Sequence, residues 1–407
     1  MDGTFAQHPL LPESDRRHHA YVDKRISVIM LLVMTVFIGF GIIIPVMPEV
    51  VAPRHLGWLL ALYSLASLIM SPYWGALSER IGRKPVIMIG MFGFSVSFFV
   101  FGISLEHLWL LYVSRILGGL FSGAVTSVAV AYVSDITTED NRTKGMGMIG
   151  MSIGFGFIFG PAVGGLLGAV SHSLPFFVSS SLALVTLFFT FTMLEESLDA
   201  DRKPARRGAN RLERKKAFAG PMKFLYALGF FVSFTLAGLE STLLYFEKEV
   251  FPITTRDFGL MLLISGVVGA AIQGGYVRRF VKKGDEGKVI LAGLVLCAAG
   301  FYLLLMSANF LTATLYLCVF SAGNALLRPC VTSLITQKTK VSVGVASGLS
   351  SSMDSLGRIA GPLFGTGLFA IGADLPYLVS GSLCLAALGL LAGFYAQVRK
   401  ERTAGGN

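Results

Sequence analysis

Five ionisable residues interrupt apolar stretches of this chain and are the residues best suited to chemistry. They are Arg115, Glu240, Arg328, Asp354 and Arg358. A charge at the centre of a membrane helix costs about 2.5–3.5 kcal/mol on insertion scales, so each should face a partner or a cavity. The chemistry that these residue types predict is the binding and release of protons or ions.

Glu240 has no basic residue three or four positions away on its own helix, and the next acid on its face, Glu247, lies seven residues on, toward the outer surface. A carboxylate without a partner in a low-dielectric medium suits a group that binds a proton or meets a cation. Asp354 and Arg358 are four residues apart, in the order that favours an intrahelical ion pair. That pair either holds its helix in place or takes part in coupling. Arg115 has a structural alternative, in which it bonds carbonyls of a neighbouring helix.

The composition indicates the medium that surrounds these residues. With 54% hydrophobic and 14% charged residues and a mean hydropathy of +0.69, the 407-residue chain cannot hide its apolar surface in one soluble core. A bilayer core roughly 30 Å thick requires about 20 apolar residues per helix. Twelve such runs predict an all-α membrane protein with spans at 26–47, 57–77, 86–104, 108–133, 145–168, 175–194, 222–247, 257–277, 288–307, 310–335, 344–370 and 375–397.

The distribution of charge predicts the topology. Basic residues concentrate in alternate loops, which places both termini in the cytoplasm and accounts for the formal charge of +10 without nucleic-acid binding. The first apolar run lacks a cleavage site and is predicted to be retained. Only one long polar segment divides the chain. The predicted units are a tail at 1–25, six helices at 26–194, a basic linker at 195–221, six helices at 222–397 and a tail at 398–407.

The two halves show weak internal similarity at an offset near 200 residues, as where Gly160-Pro161 corresponds to Gly361-Pro362. Two repeats with a site at their interface are typical of rocking transporters. The chain has no phosphate-binding loop and no HExxH motif, so neither ATP hydrolysis nor another enzymatic activity is predicted. No cofactor or metal is expected, and the four cysteines are interpreted as buried apolar residues.

Small residues follow one face of the fifth span, at Gly156, Gly160, Gly164 and the adjacent Gly165, and Pro161 interrupts the backbone hydrogen bonds. Such spacing lets two helices pack backbone to backbone. It indicates either ordinary tight packing or a hinge or leak-sealing contact. The loop after the second span carries a second cluster, which with Asp135 is predicted to form a cytoplasmic latch. Its members are Gly75, Glu79, Arg80, Gly82, Arg83 and Lys84.

The segment from Gly75 to Lys84 resembles the loop signature of the major facilitator superfamily, with Glu79 where an aspartate is usual. The segment from Gly156 to Gly165 resembles the antiporter signature of its drug:proton exporters. Leu239-Glu240-Ser-Thr-Leu, Arg328-Pro329 and Gly348-Leu-Ser-Ser-Ser are most similar to multidrug pumps of the quinolone-efflux group of Gram-positive bacteria. The resemblance covers nearly the whole chain after its N-terminal tail.

This resemblance implies a monomeric, proton-coupled antiporter in a bacterial cell membrane that exports lipophilic, often cationic drugs. It also implies that Arg115 helps to tune proton transfer. The related pumps carry a second acid in span ten, near Asn324 and Ala325, where this chain has none. Either the proton stoichiometry is lower, or Asp354 substitutes, or the substrate class differs.

Aromatic residues predict an adaptable apolar pocket, although many phenylalanines of a membrane protein simply face lipid. The candidates are Phe37, Phe40, Phe155, Phe159, Phe230, Phe231, Phe234 and Phe246. An alternative function is the export of one dedicated metabolite, such as a siderophore, a sugar or a lipid-linked precursor, and an anionic one given Arg115, Arg328 and Arg358. A receptor or scaffold that transports nothing is a further alternative with little support.

Overall fold

The structure is a computed structural model that describes residues 13–198, 217–282 and 284–404, which form long helices without a strand. Eight of the twelve long helices are α1 (Glu13–Val50), α2 (Pro53–Ile81), α3 (Arg83–Ile103), α4 (Leu108–Ile136), α5 (Glu139–Gly168), α6 (Leu174–Met193), α7 (Met222–Val250) and α8 (Thr255–Ala271). A π-helical turn (Ile272–Val277) and a last helical turn (Arg278–Phe280) extend α8. The other four are α9 (Glu286–Leu304), α10 (Phe310–Lys338), α11 (Val343–Phe369) and α12 (Leu375–Ala404).

The two halves of the chain repeat one packing plan. In the first half α1 packs on α5, α2 on α4 and α3 on α6; in the second half α7 packs on α11, α8 on α10 and α9 on α12. The halves meet through α2 against α11 and α5 against α8, two contacts that the same repeat relates to each other. The predicted architecture of twelve helices in two six-helix halves is therefore confirmed.

The outer surface of the bundle is apolar, as lipid contact requires. Large side chains such as Phe188, Phe191 and Ile103 are exposed to 60% or more. Eleven of the helices in the described residues are long and apolar enough to cross a membrane. The remaining helix is α11, in which Ser350, Ser351 and Ser352 and two charged residues lower the hydropathy.

Several helices extend beyond the predicted spans. The helix α1 begins at Glu13, within the predicted tail, α5 begins at Glu139 and α12 continues to Ala404. Hydropathy reports the part of a helix that lies in lipid, whereas the backbone hydrogen bonds continue into polar sequence. Most of the predicted linker, residues 199–216, lies outside the described residues, as do residues 1–12 and 405–407.

Glycines bring α5 and α1 into backbone contact. A Cβ added at Gly160 would lie 2.8 Å from the carbonyl oxygen of Ile38 and 2.9 Å from the Cα of Gly41. The second half repeats this contact, since a Cβ at Gly365 would lie 2.9 Å from the carbonyl oxygen of Gly238 on α7. The glycine spacing in α5 thus packs helices within one half, and α11 uses the same device.

Candidate substrate and coupling site

A cavity of about 500 Å³ lies between the two halves. It extends from the middle of the bundle toward the end that carries the α2–α3 and α4–α5 connections, here called the open end. Side chains of α1, α2 and α4 line it from the first half, and side chains of α10 and α11 from the second. Its lining includes Phe37, Phe40, Tyr63, Ser64, Ser67, Ser71, Ser122, Thr126, Arg328, Ser351, Asp354, Ser355 and Arg358.

At the opposite end, here called the closed end, the halves touch through polar groups. Lys248 Nζ lies 2.5 Å from Glu49 Oε2, and the hydroxyl of Thr255 donates to Glu49 Oε1 at 2.7 Å. The hydroxyl of Tyr245 donates to the carbonyl oxygen of Val51 at 2.5 Å. The backbones of α5 and α8 also meet there, because a Cβ added at Gly165 would lie 2.7 Å from the Cα of Gly259. Contacts at one end and a cavity toward the other describe one state of an alternating-access transporter.

Glu240 lies half-buried on α7, and the charges that act on it come from Arg358 and Arg328. The isolation expected from its own helix therefore does not extend to three dimensions, because α10 and α11 each bring an arginine toward it. The carboxylate and the guanidinium groups are coupled through space, so the charge state of Glu240 sets how much positive charge the arginines leave uncompensated.

Asp354 pairs with Arg328 on α10 rather than with Arg358 on its own helix. Its Oδ2 lies 3.5 Å from Arg328 Nη2, and its Oδ1 accepts a hydrogen bond from the hydroxyl of Ser233 at 3.0 Å. The expected intrahelical pair is not formed among the described residues, because Arg358 turns toward the first half of the chain. Sequence spacing shows which side chains can meet along one helix, but not which neighbouring helix competes for them.

The guanidinium of Arg358 lies over two aromatic rings of the other half. Its central carbon is 4.8 Å from the ring centre of Phe157 and 5.8 Å from that of Phe40. A cation over the face of an aromatic ring is stabilised by the ring quadrupole. Phe157 escaped sequence analysis, because nothing in the local pattern of α5 marks it among its phenylalanines.

Arg115 is wholly buried inside the first half, away from the cavity. Its guanidinium carbon lies 4.1 Å from the ring centre of Phe101 and 4.9 Å from that of Phe98, and its three nitrogens have no hydrogen-bond partner among the described residues. The expected bonds to carbonyls of a neighbouring helix are therefore replaced by aromatic rings.

Of the eight phenylalanines expected to form a pocket, Phe37 and Phe40 line the cavity. Phe155 and Phe159 are 45% and 47% exposed on the outer surface. Phe246 is buried against Tyr377, at a ring separation of 4.4 Å. Hydroxyl groups of α2, α4 and α11 form most of the remaining wall and were not anticipated, since serine and threonine are ordinary in membrane helices.

The cluster around the α2–α3 turn contains an ion pair. Arg83 Nε lies 3.0 Å from Asp135 Oδ2, and Arg83 Nη1 donates to the hydroxyl of Ser78 at 2.6 Å. Gly82 has a φ of 104°, which favours glycine at this turn. Glu79 and Arg80 are exposed, and a Cβ at Gly75 would meet no atom within 4 Å. Arg83 and Asp135 are thus brought together within one half, while the role of the cluster as a latch stays a prediction.

Glu196 completes this cluster and was missed by sequence analysis. Its carboxylate accepts hydrogen bonds from the backbone N–H groups of Arg83 at 2.8 Å and Lys84 at 3.1 Å. These groups begin α3, where an anion is stabilised by unpaired N–H groups and the helix dipole. Only the fold reveals this cap, because 113 residues separate Glu196 from Arg83.

A twelve-helix bundle of two repeated halves around a central cavity is the architecture of a membrane transporter. The chain matches the Major Facilitator Superfamily over residues 29–342. It belongs to this superfamily.

Particular relatives are multidrug and quinolone resistance proteins. The chain is 32% identical to Multidrug resistance protein 2 of Bacillus subtilis over 379 residues, which cover 90% of this chain and 94% of that protein. It is 27% identical to Quinolone resistance protein NorA of Staphylococcus aureus, over 90% of this chain and 95% of that protein.

Solved structures share the fold. The human organic anion transporter MFSD10 superposes with a TM-score of 0.69 at 23% identity, covering 91% of this chain and 99% of that one. A bacterial homologue of the human lysosomal transporter Spinster, in an inward-facing and unoccupied conformation, gives a TM-score of 0.70 at 16% identity, covering 93% and 94%.

Proposed function

We propose that this protein is a monomeric, proton-coupled exporter of lipophilic, often cationic drugs that works by alternating access. The observation that carries the proposal is the central cavity, with hydroxyl and aromatic groups on one wall and Arg328, Asp354 and Arg358 on the other. Multidrug resistance relatives at up to 33% identity support drugs as the substrates.

Coupling requires that the proton and the substrate exclude each other. Glu240 is the proposed proton-binding carboxylate, because it lies behind the cavity wall that carries the charged residues. When Glu240 loses its proton, its negative charge draws a cationic substrate toward the same region. Proton binding removes that attraction, so only one of the two is held well in each state.

The open end is proposed to face the cytoplasm, on the ground that the basic loops lie at that end. Single cysteines introduced at Glu79, at the open end, and at Glu106, in the α3–α4 connection, test this orientation. An impermeant thiol reagent applied to intact cells should label the cysteine at position 106 and spare the one at position 79. The reverse pattern would invert the topology and make the described state outward-open.

The function itself is tested in proteoliposomes that carry an imposed pH gradient. The purified protein should move a cationic fluorescent dye against its concentration gradient, and dissipating the pH gradient with a protonophore should stop the movement. Dye movement that persists without the gradient, or that needs another ion, would contradict proton coupling.

A second candidate function is the export of one anionic metabolite, and the two cavity arginines favour it. Comparing a panel of unrelated dyes with metabolites released into the growth medium separates the two functions. Export of many dyes supports the first, whereas one released metabolite and no dye export supports the second.

A further inference from the structure

Arg358 presents unused hydrogen-bond donors to the cavity. A guanidinium carries five N–H groups. Within the part of the chain that the structure describes, Arg358 makes no hydrogen bond and no ion pair; its near contacts are the faces of Phe157 and Phe40. Ring faces stabilise the cation without accepting its N–H groups in the plane of the guanidinium. The edge of Arg358 is therefore available to an acceptor that enters the cavity.

Arg328 lines the same cavity from α10 and is only partly neutralised. Its side chain is 42% exposed, and its contact with Asp354 is a single one of 3.5 Å. The positive charges of Arg328 and Arg358 also act on each other. Two arginines that share a half-enclosed cavity repel each other, and an anion between them relieves this repulsion.

The remaining charges near the pair do not fill this role. Asp354 is engaged by Arg328 and by the hydroxyl of Ser233, and Glu240 acts on both arginines without a direct ion pair. The phenol of Tyr63 faces Arg358 from the first half and is uncharged near neutral pH. The hydroxyls of Ser351 and Ser355 line the same part of the cavity and can donate to an anion.

We propose that Arg358 and Arg328 form an anion subsite, which holds the carboxylate or sulfonate of a transported aromatic compound whose rings lie against Phe37 and Phe40. This inference rests on the proposed function and narrows its substrate class. A planar guanidinium matches a carboxylate with two parallel hydrogen bonds, so Arg358 determines specificity for the acidic group.

The anion subsite has a consequence for coupling. A purely anionic substrate would bind Arg358 more tightly when Glu240 is protonated, because the carboxylate would no longer compensate the guanidinium. By linkage, the proton and that substrate would then bind together rather than exchange. An exchanged substrate therefore also carries a basic group, which competes with the proton near Glu240. The substrate class that satisfies both conditions is an amphoteric aromatic compound.

The test uses two dyes on one frame: rhodamine 6G, an ethyl ester with positive charge only, and the corresponding free acid, which adds a carboxylate. Fluorescence polarisation measures their binding to the purified protein. Arg358→Gln should weaken binding of the free acid by about tenfold or more and change binding of the ester by less than about twofold. Arg358→Lys, which keeps the charge but loses the planar fork, should fall between.

Arg256→Gln is the matched control, since Arg256 is exposed at the closed end, outside the cavity. It should leave the binding of both dyes unchanged. Retained binding of the ester shows that Arg358→Gln is folded. Equal losses for both dyes, or no loss for the free acid, would overturn the anion subsite.

Transport distinguishes this failure from a failure of the proposed function. Wild-type protein that pumps both dyes, with Arg358→Gln keeping its preference for the free acid, overturns the subsite alone. Wild-type protein that binds the free acid through Arg358 but pumps neither dye overturns the proposed export and leaves the subsite established.

Discussion

The two halves of the molecule share one helix arrangement but carry their charges differently. In the first half the cavity wall consists of hydroxyl and aromatic groups, and the one deep charge, Arg115, is sealed among phenylalanine rings. In the second half Arg328, Asp354 and Arg358 line the cavity, and Glu240 lies behind them. Duplication of the packing plan has therefore not duplicated the chemistry. The first half offers an adaptable surface, and the second half supplies the groups that can titrate.

The largest expected effect tests whether Glu240 alone among the buried acids of α7 carries the coupling. Glu240→Gln keeps the shape and removes the titration, so dye transport driven by a pH gradient should fall to background. Glu247→Gln is the control: Glu247 is fully buried on the same helix but contacts Ser307 rather than the cavity, and its replacement should leave transport near wild type. Uphill transport by Glu240→Gln would shift the proton site to Asp354.

The next prediction tests whether the glycine contacts are equally important in both halves. Gly160→Leu should abolish transport, because even a Cβ would lie 2.8 Å from the carbonyl oxygen of Ile38, and overpacking costs about 1–3 kcal/mol or more. Gly361→Leu should act alike against Phe234 on α7. Gly154→Leu is the control on α5, since no atom lies within 4 Å of its added Cβ. Transport and thermal unfolding in detergent measure the three variants, and wild-type transport by Gly160→Leu would show that the contact is dispensable.

A smaller effect is expected from the ion pair of the first half at the open end. Arg83 and Asp135 have side-chain exposures of 9% and 12%, and removing one partner of a buried pair costs about 3–5 kcal/mol in other proteins. Asp135→Asn should lower the unfolding temperature, since Arg83 loses its counter-charge. Glu79→Gln, at an exposed acid of the same region, should not. An unchanged unfolding temperature for Asp135→Asn would mean that Glu196 and Ser78 suffice to hold the turn.

The smallest effect is expected at the boundary between the halves. Lys248→Gln removes a partly exposed ion pair worth about 1 kcal/mol or less, so the closed end should open up to about fivefold more often. A cysteine replacing Thr366, which is buried against Gly57 at this end, should then react faster with a thiol reagent. Glu249→Gln, at the exposed neighbouring position, should leave the rate unchanged. Equal rates in all three backgrounds would show that packing alone closes this end.

Sequence analysis predicted the fold because lipid imposes one simple requirement, about 20 apolar residues per span, and the chain repeats it. It also identified Arg328, Asp354 and Arg358 as cavity residues, since a charge in a membrane helix needs a polar surrounding. The glycines of α5 were correctly interpreted as a helix contact.

Partners from distant parts of the chain could not be predicted. The pairing of Asp354 with Arg328, the ring of Phe157 beneath Arg358 and the cap that Glu196 provides all join different helices. Their sequence separation carries no periodic signal, and chemically equivalent candidates are numerous. The burial of Glu247, expected near the outer surface, likewise depends on how the α9–α10 connection folds over α7.

The composition of α11 bears on how the protein enters the membrane. It is the one helix among the twelve described that is not apolar enough to span by itself, and it carries Asp354 and Arg358. Each of these charges opposes insertion of an isolated helix, whereas α7 and α10 offer Ser233 and Arg328 as partners for Asp354. During synthesis α11 therefore partitions into the bilayer as a member of the assembled second half. A chain truncated shortly after α11 should leave this helix at the membrane surface, and completion of α12 is the step that commits the binding cavity to its final form.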